Sequence, residues 1–261
     1  MSSAGACRLA VIVLAALLTL PTSVARAQGP TIPLSAEDRS VVDQWLGTGV
    51  VGQALPAPTI GDTSRYLVLR EGDRIYQVVS GPNAGQRETF LYARLQRPNG
   101  ASSWRYAIGA TRVNFLSVQN DGSILLTASQ ETKDGVVTKY TPAEPFLISG
   151  LTPGEERRAK MAVKVYDLAH PDAVTHEGTI DVSCRYVGAY RVTVPVGAHD
   201  AVLIKWVFSG RVGPASFDDV QYRLFAIDLG MLAMIERRDV SAFLFYNVHT
   251  KEGKVLAVKP P

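Results

Sequence analysis

The chain has 261 residues, of which 46% are hydrophobic and 20% charged, and its formal net charge is +3. This length is sufficient to bury a core without disulfides, and the two cysteines exclude a disulfide framework. The small net charge gives no electrostatic basis for binding nucleic acid or anionic lipid headgroups.

Residues 1–27 have the pattern of a signal peptide. Arg8 precedes an apolar run over 9–20, Pro21 breaks that run, and Ala25-Arg26-Ala27 places small residues before the predicted cleavage site. Cleavage would leave 234 residues starting at Gln28. The apolar run is too short for a permanent membrane helix, and no later run reaches about 18 apolar residues. We therefore expect a periplasmic or secreted protein with no transmembrane segment after removal of the leader.

A helix and a linker are predicted over 28–62. Ser35-Ala-Glu-Asp38 is typical of an N-cap followed by an acidic first turn. Apolar residues then recur at helical spacing as far as Leu46, and Gly47 ends the pattern. The stretch 48–62, which is rich in proline and glycine, is predicted to be a linker lying over the surface.

Residues 63–261 are predicted to form an antiparallel β domain. Short alternating runs are separated by turn signals such as Asn120-Asp121-Gly122. The clearest strand is 180–186, in which Ile180, Val182, Cys184 and Tyr186 share one face. A tight hairpin is predicted at Pro195-Val-Gly197. The segment 142–156 is a candidate boundary between two domains, with one continuous sheet as the preferred alternative.

The later strands are apolar on both faces, so both faces need a cover. The runs are 201–204, 206–208, 224–227 and 242–246. The helix could cover one face, and either the sheet curling back on itself or a bound apolar ligand could cover the other. With about a dozen strands, the predicted fold is mainly β, a large curved antiparallel sheet or half-barrel with one N-terminal amphipathic helix.

A resemblance is carried by Tyr190-Arg-Val-Thr-Val-Pro195-Val-Gly197, Ala201-Val-Leu-Ile204, Tyr222-Arg-Leu-Phe-Ala226, Leu229-Gly230 and Ala233-Met234-Ile235. These segments resemble the C-terminal half of uncharacterised bacterial periplasmic β-rich proteins. The resemblance implies a curved antiparallel sheet like that of periplasmic lipoprotein carriers, which hold acyl chains in a concave apolar face.

Aromatic residues on neighbouring C-terminal strands are the candidate ligand-binding residues. They are Trp206, Phe208, Phe225, Phe243, Phe245 and Tyr246. If curvature turns one face of the sheet inward, these rings would line a concavity for a hydrophobic ligand. The alternative is an ordinary aromatic core.

No residue pattern indicates a catalytic or metal site, and no cofactor is expected. The four histidines show no metal-ligand spacing. His176-Glu177 and His199-Asp200 could act as general bases only if hairpin geometry brought them together, and no nucleophile elbow accompanies them. Asp218-Asp219 is interpreted as a solvated turn, and Cys184 as a buried, inert thiol with a raised pKa.

The sequence thus favours an exported, non-catalytic cell-envelope protein that binds a hydrophobic or lipid-like ligand. One alternative is a structural or assembly protein that binds a partner in the envelope through exposed sheet edges. The other is a hydrolase built around His176 and His199.

Overall fold

A computed structural model describes residues 29–96, 102–242 and 246–260. The predicted signal peptide, residues 1–27, lies outside the described residues. The described chain forms one α-helix, α1 (Ala36–Leu46), and thirteen strands. The strands are β1 (Val51–Leu55), β2 (Gly72–Ser80), β3 (Arg87–Leu95), β4 (Ser103–Ile108), β5 (Arg112–Val118), β6 (Ile124–Glu131), β7 (Val136–Leu147), β8 (Glu156–Asp167), β9 (Val174–Val194), β10 (Gly197–Val212), β11 (Ala215–Ala226), β12 (Gly230–Ala242) and β13 (Tyr246–Leu256).

All thirteen described strands belong to one antiparallel sheet, and the sheet closes on itself. Its order is β1-β9-β10-β11-β12-β13-β2-β3-β4-β5-β6-β7-β8, and β8 pairs again with β9. Strands β2 to β13 therefore make a closed ring. The prediction of a mainly β, strongly curved antiparallel sheet is confirmed. A twisted sheet of more than about ten strands tends to curl, split or flatten, and this one curls until it closes.

Strand β9 closes the ring because it pairs with β8 along one edge and with β10 along the other. It is longer than either neighbour, so part of it extends beyond β8. Its first part, 174–185, pairs with β8, whereas 189–192 pairs with β1. Along its other edge β9 pairs with β10 over 178–194. The segment 48–62 is therefore not only a surface linker. Part of it forms β1, which pairs with the portion of β9 that β8 does not reach.

The predicted helix is present with the predicted cap. The Ser35 Oγ accepts a hydrogen bond from the Asp38 backbone N–H at 3.0 Å, and the helix ends before Gly47. Asp38 accepts hydrogen bonds of 2.8 Å from both Lys205 Nζ and the Tyr222 hydroxyl. These three side chains join α1 to β10 and β11.

α1 covers the outer face of the sheet. Tyr222 lies between Gln221 and Arg223, whose side chains line the interior cavity described below, so Tyr222 points outward. Val42 and Leu46, on the buried face of the helix, pack in the hydrophobic core. The doubly apolar runs 201–204, 206–208 and 224–227 therefore lie in a closed sheet that carries α1 on its outer face, whereas residues 243–245 of the fourth run lie outside the described residues.

The two local β predictions are also confirmed. Along 180–186, Ile180, Val182, Cys184 and Tyr186 are buried, and the alternate positions are more exposed. Strand β9 ends at Val194 and β10 begins at Gly197, so the predicted hairpin turns at the predicted place. The segment 142–156 contains the end of β7 and the turn to β8, and both strands belong to the common sheet.

Stacked aromatic rings fill part of the interior of the ring of strands. Tyr76 and Phe90 have ring centroids 4.3 Å apart, and Tyr92 and Tyr106 are 4.8 Å apart. Phe146 meets Tyr106 edge to face at 6.1 Å. The remainder of the interior is a cavity.

Candidate functional site

The interior cavity has a volume of about 660 Å³. Its apolar wall includes Ile108, Leu126, Met161, Val163, Ile180 and Phe208, and its polar wall includes Arg112, Glu131, Glu144, Asp219, Gln221, Arg223, Glu236 and Arg238. Asp134, His176 and Pro214 line the cavity but are exposed, so the cavity reaches the surface at the rim formed by the β6–β7 turn, the start of β9 and the β10–β11 turn. From there it extends to buried charged residues.

Five ion pairs form a network in one wall, and the longest joins Arg238 to Glu131 at 3.7 Å. Arg112 Nε lies 2.6 Å from a Glu131 oxygen, and Arg112 Nη1 lies 3.0 Å from Glu236. Arg238 lies 2.9 Å from Glu236 and 3.2 Å from Asp219. Burial alone would raise the pKa of Glu236, but the guanidinium groups of Arg112 and Arg238 hold it far below its usual range. The charges of Arg112 and Arg238 are therefore already compensated by protein carboxylates.

Three polar side chains alternate along β11 and continue this network. Gln221 Nε2 donates to Asp219 Oδ2 at 2.6 Å, and Gln221 Oε1 accepts from Arg223 Nη2. The Arg223 guanidinium lies 4.2 Å from the ring centroid of Phe146 and 4.8 Å from that of Trp206. The two rings give Arg223 cation–π contacts in place of an ion pair.

Asp219 is not fully satisfied by these contacts. Its side chain is 1% exposed, and Oδ1 is buried without a hydrogen-bond partner in the described part of the chain. Burial raises the pKa of Asp219, although Arg238 opposes the shift. Buried polar atoms without partners are uncommon and costly, which makes this wall a candidate for binding.

Glu144 on β7 is the other unusual carboxyl group. It lines the cavity, and its residue is only 7% exposed. Burial raises its pKa to about 7, with Arg223 opposing the shift and Asp219 adding to it. With a pKa of about 7, the Glu144 carboxyl changes charge near neutral pH.

The aromatic residues predicted from the sequence have different positions. Phe208 lines the cavity. Trp206 is fully buried, donates from Nε1 to the Pro145 carbonyl at 2.9 Å, and meets Phe225 edge to face at 6.4 Å. Phe243, Phe245 and the side chain of Tyr246 lie outside the described residues. Ligand binding by this set stays a prediction.

Two predictions about acidic and thiol groups have opposite outcomes. The interpretation of Asp218-Asp219 as a solvated turn is wrong, because both residues lie in β11 and Asp219 faces the interior. Asp218 is exposed, as alternation requires. Cys184 is buried, as predicted, and burial raises the pKa of its thiol to about 12, while its low reactivity stays a prediction.

The histidine-based hydrolase hypothesis fails on geometry. His199 pairs with Val192 next to the β9–β10 turn, whereas His176 lies near the opposite end of β9. At about 3.3 Å per residue, the sixteen residues from 176 to 192 span about 50 Å of strand. The hairpin thus separates the two imidazoles, because one is next to its turn and the other at its open end.

Among the residues that the structure describes, no group of histidine, cysteine and acidic side chains has the arrangement of a metal site. No helix in the described part of the chain is long and apolar enough to cross a membrane.

The sequence matches no known family model and no curated protein. Two solved structures are similar over 77% of this chain and 98% of their own. One is a candidate exported protein with a YmcC-like fold from Bacteroides fragilis, with 14% identity and a TM-score of 0.40. The other is a candidate lipoprotein from Parabacteroides distasonis, with 11% identity and a TM-score of 0.32.

Proposed function

We propose that this protein is an exported, non-catalytic binding protein of the cell envelope that holds a hydrophobic or lipid-like ligand inside its closed sheet. The signal-peptide pattern of residues 1–27 supports export. The observation that carries the binding function is the cavity of about 660 Å³, which reaches the surface at one rim.

The size and lining of the cavity fit this role. Ligand pockets are typically about 300–1,000 Å³, mostly apolar, with a few polar groups that orient the ligand. Here Met161, Val163 and Phe208 provide apolar lining, and the polar groups of β11 and Glu144 line the same cavity. An amphipathic small molecule would contact both.

Native mass spectrometry of the mature protein, purified gently from periplasm, tests the proposal. We expect a stoichiometric small molecule that organic extraction releases. Val163→Phe would place a larger side chain in the cavity and should reduce ligand occupancy. Val79→Phe makes the same change at a position that is 38% exposed, outside the cavity, and should leave occupancy unchanged. A clean apoprotein, or equal occupancy in both variants, would contradict ligand binding in the cavity.

One observation favours a second candidate function, the assembly of a partner strand. Strand β7 pairs with β8 only through 136–141, and in the described sheet residues 156–161 of β8 pair with β9 alone. Pro142 and Pro145 have no N–H to donate, which explains why the pairing ends there. A groove of about 590 Å³ lies between the two strands. It could accept an extended peptide as an added strand.

Site-specific photo-crosslinking tests this second function. A benzophenone side chain at Ala159, which lines the groove and is exposed, should give one discrete crosslinked species in cells. The same side chain at Val79 should give none, because that position lies outside the groove. Equal labelling at both positions would exclude specific strand addition.

A further inference from the structure

Away from the exposed rim, where Asp134 lies, the cavity lining carries one more carboxylate than guanidinium groups. The carboxylates are those of Glu131, Glu144, Asp219 and Glu236, and the guanidinium groups are those of Arg112, Arg223 and Arg238. Buried charges are costly unless they are paired, so an excess of one carboxylate needs compensation. The missing positive charge can come from a proton or from a ligand.

Glu144 is the one of these four carboxylates that forms no ion pair with a described side chain. Arg112 and Arg238 together contact Glu131, Glu236 and Asp219. The third guanidinium group, of Arg223, hydrogen-bonds to Gln221 and lies against two aromatic rings. No ion pair joins the described side chains of Arg223 and Glu144.

The position of Glu144 leaves it available to a ligand. It faces the cavity and is more than nine-tenths buried. The unpartnered Oδ1 of Asp219 adds a second acceptor to the same wall. A positively charged ligand group is therefore favoured beside these carboxyl groups, and the low water content of a buried site strengthens the attraction.

We propose that the ligand is a cationic amphiphile, an organic ammonium ion with an apolar body, whose charged group binds Glu144 while its body lies along Met161, Val163 and Phe208. This inference rests on the proposed function, because it names the chemical class of ligand for the same cavity.

Other charge types fit less well. An anion could accept a hydrogen bond from Arg223 Nη1, which is buried without a partner among the described residues, but it would bring a further negative charge beside four carboxylates. A neutral amphiphile could use the apolar wall but would leave Glu144 without a countercharge. The expected order of affinity is ammonium, then alcohol, then carboxylate, for chains of equal length.

Isothermal titration calorimetry of the mature protein with octylammonium, 1-octanol and octanoate at pH 8 tests this order. We expect octylammonium to bind at least about tenfold more tightly than 1-octanol, a difference that corresponds to one modest charged contact. Octanoate should bind most weakly. If 1-octanol binds and octylammonium binds no more tightly, the cationic ligand is excluded while the binding cavity stands. If none of the three binds, the proposed function fails as well.

A matched pair of variants assigns the effect to Glu144. Glu144→Gln should remove the preference for octylammonium and leave the affinity for 1-octanol unchanged. Glu177→Gln makes the same change at an exposed glutamate that does not line the cavity, and it should behave as wild type. A preference that survives Glu144→Gln would overturn the assignment.

The pH dependence provides an independent measurement. The charged groups that act on Glu144 are Arg223 and Asp219 on β11 and Arg238 and Glu236 on β12. Because protonated Glu144 offers no negative charge, octylammonium should bind several-fold more weakly at pH 6 than at pH 8. The affinity for 1-octanol should not change in parallel. Glu144→Gln should abolish the difference, and its persistence in that variant would contradict the role of Glu144.

Discussion

Buried polar side chains distinguish the interior of this protein from an ordinary apolar core. Along β11, Asp219, Gln221 and Arg223 occupy alternate positions and turn the same way, whereas Tyr222 between them faces α1. In an open sheet, such alternation would mark a solvent-exposed face. Here closure places the polar residues inside, so their charges must be compensated by one another or by a ligand.

Cys184 provides a simple test of burial at the level of one residue. Burial raises the pKa of its thiol to about 12, and only the thiolate reacts readily with disulfide reagents. We expect the native mature protein to show no thiol reactive toward Ellman's reagent at pH 8. After denaturation it should show one. Rapid reaction in the native state would mean that this face of β9 is accessible.

Glu144 should make stability depend on pH. Its pKa is about 7 in the folded protein against an ordinary value of 4.5, so the folded state holds the proton more tightly. Stability from this group is present below pH 4.5 and is lost as the pH rises through 7. Glu144→Gln should therefore exceed wild type in free energy of unfolding by about 1–3 kcal/mol at pH 8.

Urea denaturation at pH 4.5 and pH 8 measures this difference. The variant and wild type should converge at the lower pH. A variant that is less stable than wild type at pH 8 would show that ionised Glu144 has a stabilising partner in the folded protein.

At the scale of elements, α1 and β9 show how local signals combine with tertiary pairing. The helix follows from its own residues, because Ser35 caps it and apolar side chains recur at helical spacing. The location of the helix does not follow from its own residues, because it depends on hydrogen bonds from Lys205 and Tyr222, on strands distant in sequence, to Asp38. Likewise, the strand character of β9 is local, but its division between β8 and β1 depends on the lengths of three strands.

The cap of α1 can be tested directly. Ser35→Ala removes the acceptor for the Asp38 N–H and should lower the free energy of unfolding by about 1 kcal/mol. Ser40→Ala makes the same substitution at an exposed position inside the helix and should be neutral or slightly stabilising. Chemical denaturation of both variants gives the comparison. Equal effects would mean that the cap contributes nothing measurable.

At the scale of the whole molecule, closure of the sheet creates the cavity. Close approach of β9 and β10 depends on glycine at several points. A Cβ atom at Gly210 would lie 2.2 Å from the Thr179 carbonyl oxygen, and one at Gly178 would lie 1.9 Å from the Arg211 carbonyl oxygen. Because these contacts are with backbone atoms, a rotamer change cannot relieve them.

Gly210→Ala should therefore destabilise the protein by about 1–3 kcal/mol, as in other cases of overpacking. Gly61→Ala is the matched control, because a Cβ atom at that exposed position meets nothing within 4 Å. It should change the free energy of unfolding by less than about 0.5 kcal/mol. Thermal and urea unfolding of the two variants check the prediction. If Gly210→Ala left the free energy of unfolding unchanged, β9 and β10 could separate without cost.

Local patterns in the sequence by themselves determined the helix at 36–46, the alternation of 180–186, the hairpin at 195–197 and the mainly β class, because each depends on neighbours in the chain. Only the tertiary structure decided that Asp219 is buried, that Glu144 faces a cavity, and that His176 and His199 lie far apart. Alternation with a period of two residues indicates which side chains share a face of the sheet. It does not indicate whether that face meets solvent or the inside of a closed sheet. That choice is made by pairing between strands distant in sequence, above all β8 with β9, which turns polar faces inward and thereby creates the candidate site.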